Sequence, residues 1–248
     1  MSVVAIIPAR LASTRFPRKV LASDTGWPLI RHVCERVKMC PDIGEVVVAT
    51  DAAEVQGAVQ GFGVRCVMTR EDHPNGTSRL AEAAATLGLG PEALVVNVQG
   101  DEPEIEPGAI SAAIAASRRT GAEVATIASP FTPDEDAGNP NVVKVVAGVN
   151  GLAMYFSRAL IPHHRDANSP RAAAAMKHVG LYVYRAEFLN TYVMLSPTPL
   201  ERTEMLEQLR VLEHGYRIAV AEFACTTQGI DTPEQYAGFV SRWRASRK

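Results

Sequence analysis

The sequence predicts an α/β fold: a mostly parallel sheet flanked by helices, with an antiparallel insertion in its second half. Two observations carry this. Over the first 130 residues, short apolar, β-branched runs alternate with stretches of helical period. Strands that are apolar along their whole length, alternating with helices, mark a parallel sheet covered on both faces. After residue 140 the pattern changes to paired strand-like runs joined by Asn150-Gly151. That dipeptide favours a tight hairpin, because both residues tolerate positive φ.

In chain order, the first strand is 3–7, VVAII. It is too short, and lacks the basic leader, for a secretory signal. Helices are expected at 28–40, 52–62 and 78–88, separated by strands at 45–50, 64–69 and 94–99. A helix at 107–119 leads to a strand at 124–130. The insertion reads as a hairpin over 142–158 and a strand over 177–185 with alternating aromatics. A helix at 203–214 is stopped by Gly215, since glycine accepts the left-handed conformation that ends helices. The last strand is 218–223. Thr232-Pro233 then opens a helix over 233–244, with Thr as N-cap and Pro at the first helical position.

The chain has 248 residues, 47% of them hydrophobic, and a net charge of −2. A charge so close to balance argues against nucleic acid or anionic lipid as a partner. No stretch reaches the ~18 apolar residues of a membrane span. Cys34, Cys40, Cys66 and Cys225 form no CxxC pair. Reduced thiols in a cytoplasm are expected, not structural zinc.

The loop after the first strand, PARLASTRFPRK (8–19), carries Arg10, Arg15, Arg18 and Lys19, and the first acidic residue of the chain is Asp24. In open α/β sheets ligands bind beyond the carboxyl ends of the strands. Four cations there, among small residues that present N–H and hydroxyl groups, suit a polyphosphate. The loop is not a P-loop, because GxxxxGK[ST] is absent. Nor is there a dinucleotide fingerprint: the near match at Gly61 and Gly63 precedes a strand instead of following one. Hydride transfer therefore has little support.

The fourth strand runs into NVQGDEP (97–103). Gly100 lets the chain turn, and Asp101 follows at the ligand edge. A carboxylate beside phosphates is repelled unless a hard dication lies between them. Mg²⁺ takes one or two carboxylates together with phosphate oxygens. Asp231, in GIDTPE, offers a second carboxylate, although capping of the following helix explains it equally well.

PARLASTRFPRK, NVQGDEP, NPNVVKVV (139–146), YFSRALIP (155–162), KHVGLYVYR (177–185), LEQLRVLEHGYRI (206–218) and GIDTPEQ (229–235) together resemble the CMP-Kdo synthetases. These are the 3-deoxy-manno-octulosonate cytidylyltransferases, and the similarity runs from residue 3 to about 240. The resemblance implies a Rossmann-like three-layer nucleotidyltransferase fold in one domain, 1–248. Its nucleotide-binding part would be about 1–130 and 215–248, and its sugar-binding and dimerisation lobe about 131–214. It implies transfer of CMP from CTP to the anomeric hydroxyl of the acid sugar Kdo, with release of pyrophosphate. The product, CMP-Kdo, serves lipopolysaccharide biosynthesis. It also implies Mg²⁺ dependence and a cytoplasmic homodimer.

Site residues follow from the same resemblance. Pro8, Ala9, Arg10, Ser13, Arg15 and Lys19 match the triphosphate-binding loop, with Arg10, Arg15, Lys19 and Asp101 catalytic. Asn75, Gly76, Arg79 and Gln99 are expected at the base or ribose. Asp101 and Asp231 match metal-binding aspartates. Arg158 or Arg165 is expected on the sugar carboxylate, and His178, Tyr182, Glu207 and Gln208 on its hydroxyls, the last two in mid-helix.

Two stretches depart from the family's pattern. In HPNGTSR (73–79), Asn75 replaces a usual serine and Ser78 a usual acid, which removes an expected neighbour of Arg79. His163 and His164 stand where a Trp-containing stretch is common; adjacent histidines rarely chelate one ion, so they read as loop residues. Another ulosonic acid, of the amino-Kdo or sialic acid type, is the alternative substrate. A Mg²⁺-dependent GT-A-like glycosyltransferase is disfavoured because no DxD ends a strand. A non-catalytic nucleotide sensor is disfavoured by two metal-type aspartates. Glu102 receives no role.

Overall fold

The computed structural model describes residues 2–11, 15–166, 168, 173–226 and 229–247. Among them, nine strands form one sheet: β1 (Val3–Ala9), β2 (Glu45–Thr50), β3 (Arg65–Met68), β4 (Leu94–Asn97), β5 (Val124–Pro130), β6 (Lys144–Ala147), β7 (Ala153–Ser157), β8 (Met176–Arg185) and β9 (Ile218–Glu222). The helices are α1 (Leu29–Lys38), α2 (Ala53–Gly61), α3 (Gly76–Thr86), α4 (Pro107–Thr120), α5 (Ala186–Tyr192), α6 (Pro199–Glu204), α7 (Gln208–Glu213) and α8 (Pro233–Ala245). The strand order is β3-β2-β1-β4-β8-β5-β9, with β6 paired to β8 and β7 to β6. Strands β3, β2, β1 and β4 run parallel, as does β9 beside β5. Only β8 enters between β4 and β5 in the opposite direction, so the sheet is mostly parallel with an antiparallel insertion.

The apolar strands are explained by cover on both faces. Alternate residues of β1 point to opposite sides. Ala5 and Ile7 pack with Ile30 of α1, Val55 of α2 and Ile110 of α4. Val4 and Ile6 pack with Leu80 of α3, Leu189 of α5 and Leu209 of α7. The hairpin forms where expected: β6 pairs antiparallel with β7, and Gly151 takes φ 73. Thr232 caps α8 by accepting a hydrogen bond from the Gln235 N–H at 3.3 Å. Among the described residues no helix is long and apolar enough to cross a membrane.

Three local features differ from expectation. The helix expected at 203–214 is two helices. A capping box of Thr198 and Glu201, with Pro199 in the first turn, starts α6 early. The chain then breaks at Met205, whose φ of 53 is left-handed. For a residue with a Cβ that conformation costs about 1–2 kcal/mol, and it drops Leu206 into the core. Glu207 and Gln208 therefore open α7 rather than sitting in mid-helix. A short helix, α5, was not expected; it buries Phe188, Leu189 and Tyr192 against the same face of the sheet as α3. Finally, β4 stops at Asn97, and Gln99–Glu102 form a turn closed by Glu102 N–H donating to Gln99 O at 3.2 Å. A Cβ on Gly100 would lie 2.8 Å from the Pro8 carbonyl oxygen, so only glycine lets this turn pass the end of β1.

Candidate functional site

The carboxyl ends of β1 and β4, the start of α3 and the approach to α8 surround a cavity of about 410 Å³. Pro8, Arg10, Arg15, Lys19, Gly76, Gln99, Gly100, Asp101 and Asp231 line it. Residues far apart in sequence thus share one wall. The Lys19 ammonium lies 2.5 Å from Asp101 Oδ2, 3.1 Å from Asp231 Oδ1 and 2.9 Å from the Ile230 carbonyl oxygen. Arg15 Nη2 reaches Asp231 Oδ1 at 3.0 Å. Lys19 and Arg15 together balance the two aspartates, and both carboxylates converge on the Lys19 ammonium. Among the described residues no group of three or more His, Cys, Asp or Glu side chains is placed to hold a metal ion. Two carboxylates alone fit a hard dication that completes its shell with water and phosphate oxygens.

Beside Asp101, Glu102 keeps its Oε2 buried, with no partner among the described residues. Burial, then the Asp101 charge, pushes its pKa up to about 7. Arg10 donates from Nη2 to the His73 carbonyl oxygen at 2.8 Å, which ties the basic loop to the loop after β3. Arg18 leaves the cluster and pairs with Glu54 at the start of α2. Ala9 is fully buried in β1. Ser13 lies outside the described residues.

In the 73–79 loop, Asn75 is the N-cap of α3, its Oδ1 accepting from the Ser78 N–H at 2.8 Å. Ser78 Oγ donates to the Asn75 carbonyl oxygen at 2.9 Å and lies 3.1 Å from His73 Nδ1. The residue that replaces the usual acid thus locks the loop. Arg79 corrects an expectation: its side chain is fully buried and does not line the cavity. Its Nη2 donates to Asp51 Oδ2 and its Nη1 to Thr69 Oγ1, both at 2.5 Å. The acid partner comes from the end of β2, so Arg79 braces the loop from beneath.

A second cavity, of about 270 Å³, shares Gly76 and Gln99 with the first. Its floor is the sheet, with Asn97, Val124, Tyr182 and Ile218; its walls include Thr77, Tyr192 and the Met205–Gln208 turn. The expected Tyr182, Glu207 and Gln208 are all here. Burial raises the Tyr182 pKa well above its ordinary value, so the phenol stays a neutral donor. The backbone turn leaves Glu207 accessible, yet its carboxylate faces inward, 3.4 Å from the Tyr192 hydroxyl. Burial raises its pKa, opposed chiefly by Arg210. His178 stands behind Tyr182, their ring centroids 5.4 Å apart, with Nε2 3.0 Å from Thr126 Oγ1. Burial lowers its pKa to about 4, so it is neutral.

The two arginines expected on the sugar carboxylate are placed elsewhere. Arg158 is spent on carbonyl oxygens, donating to Glu204 at 2.7 Å, Pro140 at 3.1 Å and Met205 at 3.3 Å. It braces the Met205 break. Arg165 is exposed on the loop after Pro162, which also carries His163 and His164, and lines neither cavity. Sequence reasoning missed Asn97, Thr77, Tyr184 and Tyr192. An asparagine closing an otherwise apolar strand was the visible signal for the first.

The sequence model of the Cytidylyltransferase family matches residues 4–218. A 3-deoxy-manno-octulosonate cytidylyltransferase of Syntrophotalea carbinolica is 48% identical over 94% of this chain and 95% of its own length. One of Herminiimonas arsenicoxydans is 50% identical over 94% and 96%. Among solved structures, CMP:2-keto-3-deoxy-manno-octonic acid synthetase complexed with CTP superposes with a TM-score of 0.92 at 38% identity, covering 99% of this chain and 100% of that one. A cytidylyltransferase from Leptospira borgpetersenii, 16% identical with a TM-score of 0.61 over 97% and 86%, shares the fold.

Proposed function

The chain belongs to the cytidylyltransferase family, and within it to the 3-deoxy-manno-octulosonate cytidylyltransferases; from that premise we propose that it transfers CMP from CTP to the anomeric hydroxyl of Kdo. Pyrophosphate leaves and CMP-Kdo forms, the activated sugar used in lipopolysaccharide biosynthesis. The observation that carries this is the joining of two unlike cavities through Gly76 and Gln99. One is cationic and lies at the strand ends; the other is small, buried and rich in polar side chains.

Transfer of this kind depends on positioning and on charge neutralisation. Arg10, Arg15 and Lys19 bind the triphosphate, and Arg15 and Lys19 offset charge on the departing pyrophosphate. Gly76, which both cavities share, and the adjacent Asn75 would meet the base, with Gln99 between base and sugar. Asp101 and Asp231 would hold Mg²⁺, which supplies polarisation of the α-phosphate and a lowered pKa for the attacking hydroxyl. Tyr182, Glu207 and Gln208 orient the sugar hydroxyls, so that the anomeric oxygen meets the α-phosphorus at the junction of the cavities. We place the protein in the cytoplasm as a homodimer, with the β6–β7 hairpin and β8 meeting across a two-fold axis.

The test is incubation with CTP, Kdo and Mg²⁺, followed by pyrophosphate release. Release that depends on all three is expected. Release with an amino-Kdo or a sialic acid, but not with Kdo, would keep the reaction and overturn the substrate.

A further inference from the structure

Asn97 closes β4, in register with Ile6 of β1 and Tyr182 of β8. It is 3% exposed, and among the described residues its Oδ1 is buried without a hydrogen-bond partner. Strand interiors disfavour asparagine, and a buried amide left unpaired is costly. Among the described residues nothing recovers that cost. The side chain instead lines the smaller cavity, beside Tyr182 and Gln99.

Part of the polar lining at this depth is already engaged. The Tyr192 hydroxyl donates to Glu207 Oε2 at 3.4 Å. The Asn97 side-chain oxygen is a buried acceptor left waiting. We infer that Asn97 is a specificity-determining residue of the acid-sugar site, its side-chain oxygen accepting a hydrogen bond from one hydroxyl of the bound sugar. The inference rests on the proposed CMP transfer to an ulosonic acid.

A hydroxyl is the fitting partner, because it both donates and accepts and so serves either end of an amide. A carboxylate would meet the amide oxygen as one acceptor against another. A site that presents a buried polar group to a substrate hydroxyl rejects analogues lacking that hydroxyl, since the protein group is then left unpaired. Asn97 would thus select among eight-carbon and nine-carbon acid sugars by the hydroxyl each presents to the sheet, independently of how the triphosphate is held.

The experiment compares the wild-type enzyme with Asn97→Leu, using CTP, Mg²⁺, Kdo and Kdo analogues each missing one hydroxyl. The variant should raise KM for Kdo by ~30-fold and leave KM for CTP within about twofold. One analogue should lose a similar factor with the wild type and nothing further with the variant. An unchanged KM for Kdo, or an equal penalty for every analogue in both proteins, overturns the inference. Should Asn97→Leu fail to fold, the wild-type protein still decides. Its Asn97 side-chain amide resonance should move on addition of Kdo and stay in place with the analogue that lacks the recognised hydroxyl. A resonance indifferent to Kdo, as for an amide satisfied by water, contradicts the assignment. Absence of any wild-type turnover of Kdo would sink the proposed reaction itself, a separate outcome.

Discussion

The two halves of the site solve opposite problems. In the cationic cleft both carboxylates already have cationic partners: Lys19 stands between Asp101 and Asp231, and Arg15 pairs with Asp231. In the pocket beneath α5 and α7, polar groups are buried, and among the described residues the Asn97 side-chain oxygen has no partner. The cleft is complete without a ligand and must exchange partners to bind one. The pocket is incomplete without a ligand and gains partners by binding. Substitutions in the cleft should therefore act on turnover, and substitutions in the pocket on sugar affinity and stability.

The largest effect is expected in the cleft. Asp101→Asn should lower pyrophosphate release by ~10²-fold or more, as for a lost metal ligand, with an unchanged circular dichroism spectrum. Turnover within a few-fold of the wild type would remove Asp101 from the chemistry.

The pocket's back wall should reveal itself through pH. His178 is held near pKa 4 by burial, against 6.5 in the unfolded chain. As pH falls below 6.5 the unfolded state takes up a proton that the folded state refuses. Stability is thus full above that value and is lost as pH falls toward 4. Between pH 7 and pH 5 this amounts to about 2 kcal/mol. His32, also lowered to about 4, chiefly by burial, adds a loss of the same sign. Urea unfolding of His178→Gln should therefore show a shallower pH slope, not a flat one. An unaltered slope would mean that the His178 ring is solvated.

Next comes the support of the pocket wall. Arg210 grips Glu201 at 2.8 and 2.5 Å and lies 5.0 Å from the centre of the Tyr192 ring. Arg210→Met leaves Glu201 buried and unpaired and frees Tyr192. KM for Kdo should rise by ~10-fold, with a lower melting temperature and an unchanged KM for CTP. The smallest effect belongs to Arg18→Ala. Its exposed pair with Glu54 is worth little, so kcat and both KM values should stay within about twofold.

Much of the architecture was legible because it depends on local rules. The apolar strands, the Asn150-Gly151 turn and the Thr232-Pro233 helix start each follow from a few adjacent residues. The break at Met205 was harder, since no glycine marks it, although Thr198-Pro199 with Glu201 spelled out an earlier helix start. The residues alone left the pairing of Asp101 with Asp231 evenly balanced against helix capping, and family resemblance favoured it, because spacing alone cannot bring together residues 130 positions apart. Arg79 and Arg158 read as ligand cations because sequence shows charge but not burial. Only the fold shows that Asp51 and a set of carbonyl oxygens had claimed them. Asn97 escaped notice beside Gln99 and Asp101 for the reverse reason: its importance lies in a partner it lacks.

The most direct test is a crossed kinetic measurement on Asp231→Asn and Gln208→Leu, with KM determined for CTP, Kdo and Mg²⁺ in each. Asp231→Asn should raise the Mg²⁺ requirement and KM for CTP while leaving KM for Kdo in place. Gln208→Leu should do the reverse. If either substitution shifts both substrates alike, the cleft and the pocket are not separate binding sites, and the division of labour between them fails.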